Sequence, residues 1–377
     1  MVDRVMMVAG EASGDLHGSG VVRELKKRVP SADVFGVGGD KMEAEGMELI
    51  YHVESLSFMG FVEVLKNISM IRSVEKKLER LLEQRKPEVV VLIDYPGFNL
   101  RFARKVKGRG IKVLYYISPQ VWAWNKRRVK KMKGVVDKMD VVFPFEVDIY
   151  KREDIDVEFV GHPLAETLRS SSSREDFFQK YHFDPGEKLL GLFPGSRPQE
   201  IKDILPTLVA TASKLQQIHS VQVGVSVAPN LRLESYRRFT HGNSSITLIE
   251  GGTYDLMEHS DAVIVASGTA TLESGWFGTP MIVVYRMSPV TFFIGRLLVK
   301  VPNIGLVNIV AGKSIVPEFV QHEMNPENLT NSISRILQDE AYAKAMRADL
   351  SIVKKRLGAP GASARVADGI IALGQAA

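Results

Sequence analysis

VMMVAGEASGD, residues 5–15, is the stretch that decides the fold. Val5–Ala9 is short, continuous and apolar, the signature of a strand buried on both faces. It runs straight into Gly10, and a helix follows from Leu16 to Val29, stopping at Pro30. Strand, glycine-rich turn and helix together form the unit from which covered parallel sheets are built.

The alternation continues along the chain. Val34–Val37 reads as a second strand, ending in Gly38-Gly39. An amphipathic helix follows from Ile71 to Gln84, then a strand Val89–Ile93, a helix Phe98–Lys107 and a strand Lys112–Ile117. Val141–Phe143 and Glu158–Val160 read as later strands. A polar seam lies between about Gly161 and Pro185, around Ser170-Ser171-Ser172-Ser173. Beyond it the pattern restarts: strand Leu189–Phe193, helix Ile201–Ile218, then strands Val221–Val227, Ile246–Ile249, Ala262–Ala266 and Met281–Val284. The stretch from Asn325 to Ile371 is mostly helical. Each half thus predicts an open α/β sheet with helices on both faces.

A chain of 377 residues suits two domains. With 45% hydrophobic and 25% charged residues it is a folded protein rather than a disordered one. The absence of cysteine excludes disulfides, thiolate metal sites and a cysteine nucleophile. A net charge of +5 suits an anionic substrate, an anionic membrane face or nucleic acid, and selects none of them. Val5–Ala9 is too short for a signal peptide, with Glu11 and Asp15 close behind. No stretch reaches the roughly 18–20 apolar residues of a spanning helix, so a cytosolic or peripheral protein is expected.

Ligands of open parallel sheets bind beyond the carboxyl ends of the strands, so the loops there are the candidates. Gly10-Glu11-Ala12-Ser13-Gly14-Asp15 lets the backbone turn tightly and a ligand approach, or is an ordinary turn capped by Ser13 or Asp15. It is not a dinucleotide fingerprint, and no acid ends the second strand, so a nicotinamide cofactor is not expected. Asp94, in Ile93-Asp94-Tyr95-Pro96-Gly97-Phe98-Asn99, is a general base if burial lifts its pKa, and otherwise a turn former. Ser196 and Arg197, in Pro194-Gly195-Ser196-Arg197, suit phosphate at a helix start, or are an exposed turn. Ser267, Gly268 and Thr269 end a buried strand and begin a helix, which makes an anion cradle. Glu273 lies one turn further on, within reach of a ribose diol, or is a buried helical Glu.

Ser118-Pro119-Gln120-Val121-Trp122-Ala123-Trp124 also follows a strand and precedes a basic run at 126–133. That run reads as a solvated helix face or a surface for anionic headgroups; no nucleic-acid fold accompanies it. The segment 56–74, with Phe58, Met59, Phe61 and Leu65, is broader than one buried stripe needs. Pro289–Pro302 repeats the flavour with Phe292 and Phe293. Both read as core or as membrane- and acyl-binding segments. Asp154-Ile155-Asp156 is a literal D-x-D placed before a strand, a chance match, and the histidines show no zinc spacing, so no metal site is expected.

Taken in order, GEASGD at 10–15, IDYPGFN at 93–99, SPQVWAW at 118–124, VGHP at 160–163, PGSR at 194–197, ASGTATLE at 266–273, YRMSP at 285–289 and LVNIVAG at 306–312 resemble the lipid-A-disaccharide synthase family over nearly the whole chain. The chain departs from that pattern at Val307, where proline is expected. The resemblance implies the GT-B fold, two Rossmann-like doubly wound parallel-sheet domains facing a central cleft. It implies an acceptor-binding, membrane-facing domain at 1–165 and a UDP-sugar-binding domain at 166–344, with helices from about 345 to 377 packed back on the first domain or swapped in a homodimer. The reaction implied is an inverting, metal-independent transfer from UDP-2,3-diacylglucosamine to 2,3-diacylglucosamine 1-phosphate, without cofactor, giving the β-1,6 disaccharide 1-phosphate and UDP. It would run on the cytoplasmic face of the inner membrane.

By family position Asp94 leads as the base, with Glu11 as alternative or helper. Arg197, Ser196, Ser267, Gly268, Thr269, Glu273 and Asn308 would hold the donor. Ser13, Gly14, Asn99 and Gln321 belong to the acceptor side or to further matching stretches, as does Glu318. The rival readings are another GT-B enzyme of UDP-sugars, such as a lipid-linked transferase or an epimerase, and a non-catalytic UDP-sugar-binding protein docked on membrane.

Overall fold

The computed structural model describes residues 2–55, 68–124, 127–241, 245–287 and 303–376. The chain divides into two compact units: Met1–Glu166 with Leu357–Ala377, and Thr167–Arg356.

Among the described residues the first unit carries a seven-stranded sheet. Its strands are β1 Arg4–Ala9, β2 Asp33–Gly38, β3 Glu48–His52, β4 Val89–Ile93, β5 Lys112–Tyr116, β6 Lys138–Val141 and β7 Val157–Phe159. They lie in the order β3-β2-β1-β4-β5-β6-β7, and every neighbouring pair is parallel. The central strands are apolar throughout because helices cover both faces. On one face Val74, Leu78 and Leu82 of helix Ile68–Arg85 and Phe98, Phe102 and Val106 of helix Pro96–Lys107 pack on Met6, Val8, Val90, Leu92, Val113 and Tyr115. The described end of the broad apolar segment therefore divides: Ile71 and Val74 enter this core, while Met70 is exposed.

The second unit repeats the plan with six strands. These are β8 Lys188–Phe193, β9 Val221–Val227, β10 Ile246–Glu250, β11 Ala262–Ala266, β12 Met281–Tyr285 and β13 Glu318–Val320, in the order β10-β9-β8-β11-β12-β13. Its pairs are parallel too.

Four details differ from the sequence reading, the last of them at β6. The short strands β3 and β13 went unread, because neither offers a run of buried positions. The polar seam is ordered: Ser173 caps helix Arg174–Tyr181, and the Asp255 carboxylate accepts the N–H and hydroxyl of both Ser171 and Ser172. The return to the first unit begins at Leu357, later than about residue 345. Helix Glu340–Leu357 stays with the second unit, where Leu350 and Val353 flank Gly275 and Met346 Sδ accepts the Met281 N–H at 3.3 Å.

The last helix, Ala362–Gln375, docks on the first unit through a close approach at Gly20. A Cβ there would sit 2.4 Å from Ser363 Oγ. Glu166 caps this helix, its Oε1 accepting the N–H groups of Gly361 (3.1 Å) and Ser363 (2.8 Å) and its Oε2 the Ser363 hydroxyl (2.7 Å).

β6 spans 138–141 instead of 141–143 because its inward position is Asp140, a charge that a hydrophobic pattern skips. Asp140 is completely buried and neither carboxyl oxygen has a hydrogen-bond partner. Burial pushes its pKa from 3.8 up to about 8, although Lys138 Nζ lies 3.9 Å away. The folded state holds a proton that the unfolded chain releases at neutral pH. Stability tied to this group therefore falls as pH rises from about 4 through about 8. Asp140→Asn is expected to raise the melting temperature, more at pH 8 than at pH 5, with roughly 1–3 kcal/mol gained near neutrality. A variant that melts no higher than the parent at either pH is the contrary result.

Candidate active site

Both sheets reverse their strand order once, between β1 and β4 and between β8 and β11. Such a switch point opens a crevice at the carboxyl ends of its two strands. Four of the loops singled out above are the ones that flank these crevices: Gly10–Asp15 and Asp94–Asn99 in the first unit, Pro194–Arg197 and Ser267–Thr269 in the second.

In the first unit Asp94 and Tyr95 both adopt left-handed backbone, with φ of 46° and 47°. Two such non-glycine residues in a row are costly and persist only where their surroundings impose them. Here the Asp94 N–H donates to Tyr116 O (3.0 Å), and the Asp94 carbonyl accepts the Tyr115 hydroxyl (2.6 Å) and Asn99 Nδ2 (2.8 Å). Asn99 also donates to Ile93 O at 3.2 Å and is fully buried. Its amide nitrogen shapes the loop from behind, while its Oδ1 has no hydrogen-bond partner among the described residues. The Tyr95 ring lies over Gly10, where a Cβ would be 2.1 Å from the ring, which explains that glycine.

Burial, then the nearby charge of Glu11, raises the Asp94 pKa from 3.8 to about 6. The carboxylate is thus ionised at neutral pH yet basic enough to accept a proton. Glu11 and Ser13 are exposed at the start of helix Ala12–Arg28. Gly14 is buried, and a Cβ there would lie 3.2 Å from Ala9 Cβ. Asp15 caps a different helix from its own, accepting the N–H groups of Gly39 (2.7 Å), Lys41 (3.2 Å) and Met42 (3.0 Å). Gly39 is needed because a Cβ there would meet that carboxylate at 2.8 Å.

In the second unit Arg197 is the N-cap of helix Pro198–Ile218, and its side chain is 58% exposed. Glu200 turns back on it. Its Oε2 accepts the N–H groups of Ser196 (2.9 Å) and Arg197 (3.2 Å), and its Oε1 pairs with the guanidinium at 3.2 Å. A Cβ on Gly195 would lie 2.2 Å from that Oε2. The Ser196 and Arg197 amides are therefore already taken by an internal carboxylate, while the guanidinium stays exposed toward a ligand. The sequence reading missed Glu200, although an acid three residues after an N-cap is the capping-box spacing.

The other helix start is open. Thr269, the N-cap of helix Ala270–Phe277, makes no side-chain cap bond, and among the described residues no atom beyond its chain neighbours lies within 4 Å of a Cβ placed on Gly268. The Thr271 and Leu272 N–H groups turn back on the Gly268 (3.2 Å) and Thr269 (2.8 Å) carbonyls, so the amides ahead of Thr271 are the ones left to meet an anion. Ser267 serves this turn from beneath, its hydroxyl donating to Ile304 O (2.9 Å). Glu273 is half-buried, and burial raises its pKa from 4.5 to about 7. It can accept from a diol or, protonated, donate to one.

Two expected site residues are occupied elsewhere. Asn308 is fully buried: Nδ2 donates to Val316 O (2.9 Å) and Glu318 Oε1 (2.8 Å), while Oδ1 accepts the N–H groups of Ile315 (2.7 Å) and Val316 (3.0 Å). With its hydrogen-bonding capacity spent, it supports Glu318, which accepts the Ile304 (2.8 Å) and Gly305 (3.0 Å) N–H groups. Gln321 pairs with the Met287 backbone in both directions, at 3.1 and 3.0 Å. Val307, the departure from the family pattern, donates its N–H to Thr271 Oγ1 at 3.4 Å, a bond proline cannot make.

Asp154-Ile155-Asp156 lies at the amino end of β7, away from both crevices, and Asp154 pairs with Lys133 at 3.0 Å. In the basic run Val129 and Met132 are buried and Lys130 and Lys131 exposed. Phe58, Met59, Phe61, Leu65, Phe292 and Phe293 lie outside the described residues. No helix among the described residues is long and apolar enough to cross a membrane.

Comparison with known proteins bears on all of these loops at once. The family model described as Lipid-A-disaccharide synthetase matches residues 5–364. A lipid-A-disaccharide synthase of Geobacter sulfurreducens is 42% identical over 366 residues, covering 97% of this chain and 95% of its own. One of Myxococcus xanthus is 39% identical over 372 residues, covering 98% and 97%. Among solved structures, UDP-GlcNAc 2-epimerase from Neisseria meningitidis, bound to UDP-GlcNAc, superposes with a TM-score of 0.67 at 14% identity over 98% of this chain and 100% of its own. MurG of Acinetobacter baumannii gives 0.61 at 14% identity, over 99% of this chain and 100% of its own. At such low identity these structures show the fold alone, and that fold is GT-B: two doubly wound parallel-sheet units.

Proposed function

The chain belongs to the lipid-A-disaccharide synthetase family and is a glycosyltransferase of lipid A disaccharide synthesis; from that premise we propose how its residues carry out the transfer. The donor is UDP-2,3-diacylglucosamine and the acceptor 2,3-diacylglucosamine 1-phosphate. Asp94 takes the proton of the acceptor 6-hydroxyl as that oxygen bonds to the donor's anomeric carbon. The bond from that carbon to the UDP oxygen breaks on the opposite face, which inverts the configuration to β. Glu11 acts through Asp94, its charge keeping the carboxylate basic. As UDP leaves, negative charge grows on the diphosphate, where Arg197 and the amides opening helix Ala270–Phe277 offset it. Glu273 binds the ribose. With a guanidinium and a helix start available, the departure needs no metal ion.

The observation that carries this reading is Asp94, a base near pKa 6 clamped in strained backbone at a switch point. Purified protein given both acylated substrates in detergent, with a chelator present, is expected to release UDP and a disaccharide. Because the base must be ionised, kcat/KM should climb as pH rises through about 6 and level off above it. A rate flat down to pH 5 removes Asp94 as the base. UDP release that ignores the acceptor, as an epimerase-like enzyme would show, removes the transferase reading.

We place the reaction at the inner face of the cytoplasmic membrane, with the protein bound peripherally. Acylated substrates support this, as do the apolar segments 56–74 and 289–302 of the sequence. Exchange of helix Ala362–Gln375 between two copies would keep the contacts with Gly20 and Glu166, so a swapped homodimer remains compatible with this plan.

A further inference from the structure

The proposed mechanism leaves unused the loops that follow β5, β6 and β7, where four rings of the first unit touch in sequence and reach a fifth, His17 of helix Ala12–Arg28. Trp122 meets Phe145 edge-on at 5.5 Å between centroids, and Phe145 stacks on Phe143 at 5.5 Å. Phe143 contacts His162 at 5.3 Å, and His162 meets His17 at 6.4 Å. Phe143 and His162 are buried and form the backing; Trp122, Phe145 and His17 are partly buried and form the outer side. All five residues stand at the carboxyl edge of the sheet or on the helix that leaves it, the edge that also carries Glu11 and Asp94.

The Trp122 indole N–H of this row is turned inward, onto a buried acid. The Glu146 carboxyl is buried and accepts the Ser118 hydroxyl (2.6 Å), the Trp122 indole N–H (3.3 Å) and the Phe143 N–H (3.2 Å). His162 Nδ1 accepts the Leu164 N–H at 3.2 Å. Burial lowers the pKa of His17 to about 4 and of His162 to about 3, so the row carries no imidazolium at neutral pH. A sugar ring or phosphate needs outward donors or charges to replace its water. A surface whose indole N–H and hydroxyl are spent on its own Glu146 suits hydrocarbon instead.

We propose that the ledge formed by Trp122, Phe145 and His17 receives an acyl chain of the acceptor, and that Glu146 is the positioning residue that fixes it. This inference rests on the function proposed above. It predicts a loss in Phe145→Ala that depends on chain length. With donor saturating, kcat/KM is measured for a long-chain acceptor and for a short-chain analogue with the same headgroup. The variant should lose about tenfold more with the long chain than with the short one. Phe145→Leu, which keeps apolar bulk, should recover most of that difference, and Phe145→Gln, which keeps bulk but is polar, replaces the alanine form if that does not fold and should show the same chain-length-dependent loss. Equal losses for both acceptors, or no loss for either, overturn the ledge. Parent protein that makes no disaccharide from the long-chain acceptor overturns the proposed function itself, which separates the two failures.

Discussion

Asp94→Asn is expected to lower kcat about a thousandfold, the scale of a lost general base, while UDP binding is unchanged. Asparagine has the same shape and tolerates the left-handed backbone seen at this position. The bonds that clamp the loop come from the Asp94 N–H and carbonyl, so they survive the change. What disappears is the basic oxygen alone. Single-turnover UDP release, with calorimetric UDP binding as the control, reads this directly. Activity within threefold of the parent would move the role to Glu11. In the proposed mechanism Glu11→Gln has a smaller effect with a distinct signature. Its charge raises the Asp94 pKa, so removing it should shift the acid limb of the pH profile to lower pH.

Arg197→Ala is expected to cost a factor of about 100–1000 in kcat/KM for the donor, the range for removing one donor that stabilises a developing anion. The guanidinium is now held by Glu200 and is more than half exposed, so its pair with that carboxylate is worth little, about 0–1 kcal/mol. Diphosphate binding exchanges one anion for another at the same cation. Arg197→Lys should recover only part of the loss, because an ammonium cannot offer two parallel N–H groups. Affinity for UDP should fall while affinity for uridine holds, as titration calorimetry of both ligands can show. Unchanged UDP affinity would remove Arg197 from the diphosphate site.

The legible parts of this molecule are those written locally. Buried strands such as Val89–Ile93 and Ala262–Ala266 announce themselves as unbroken apolar runs, and the glycine-rich turns after them mark the crevices. The less legible parts depend on partners distant in sequence. Asp140 stands just before the apolar run read as a strand at 141–143, and nothing local shows that helix Ala362–Gln375 covers it. Glu146 reads as one more helical acid, yet its partner Ser118 lies 28 residues away. Asn308 has the residue type of a ligand contact, but its four bonds are all made inside the protein, and spacing cannot reveal that. Asn99 carries the same lesson: its amide shapes the loop from behind.

The return of the chain at Leu357 has a consequence for synthesis. The second unit is one continuous stretch, 167–356, whereas the first is written in two pieces separated by all of it. The first unit leaves the ribosome first, with Gly20 open and Glu166 facing a helix start not yet made. It can close only after the second unit has been translated in full. The half that holds Asp94 therefore matures last, and the nascent enzyme can acquire its donor-side loops before its acceptor-side unit is complete.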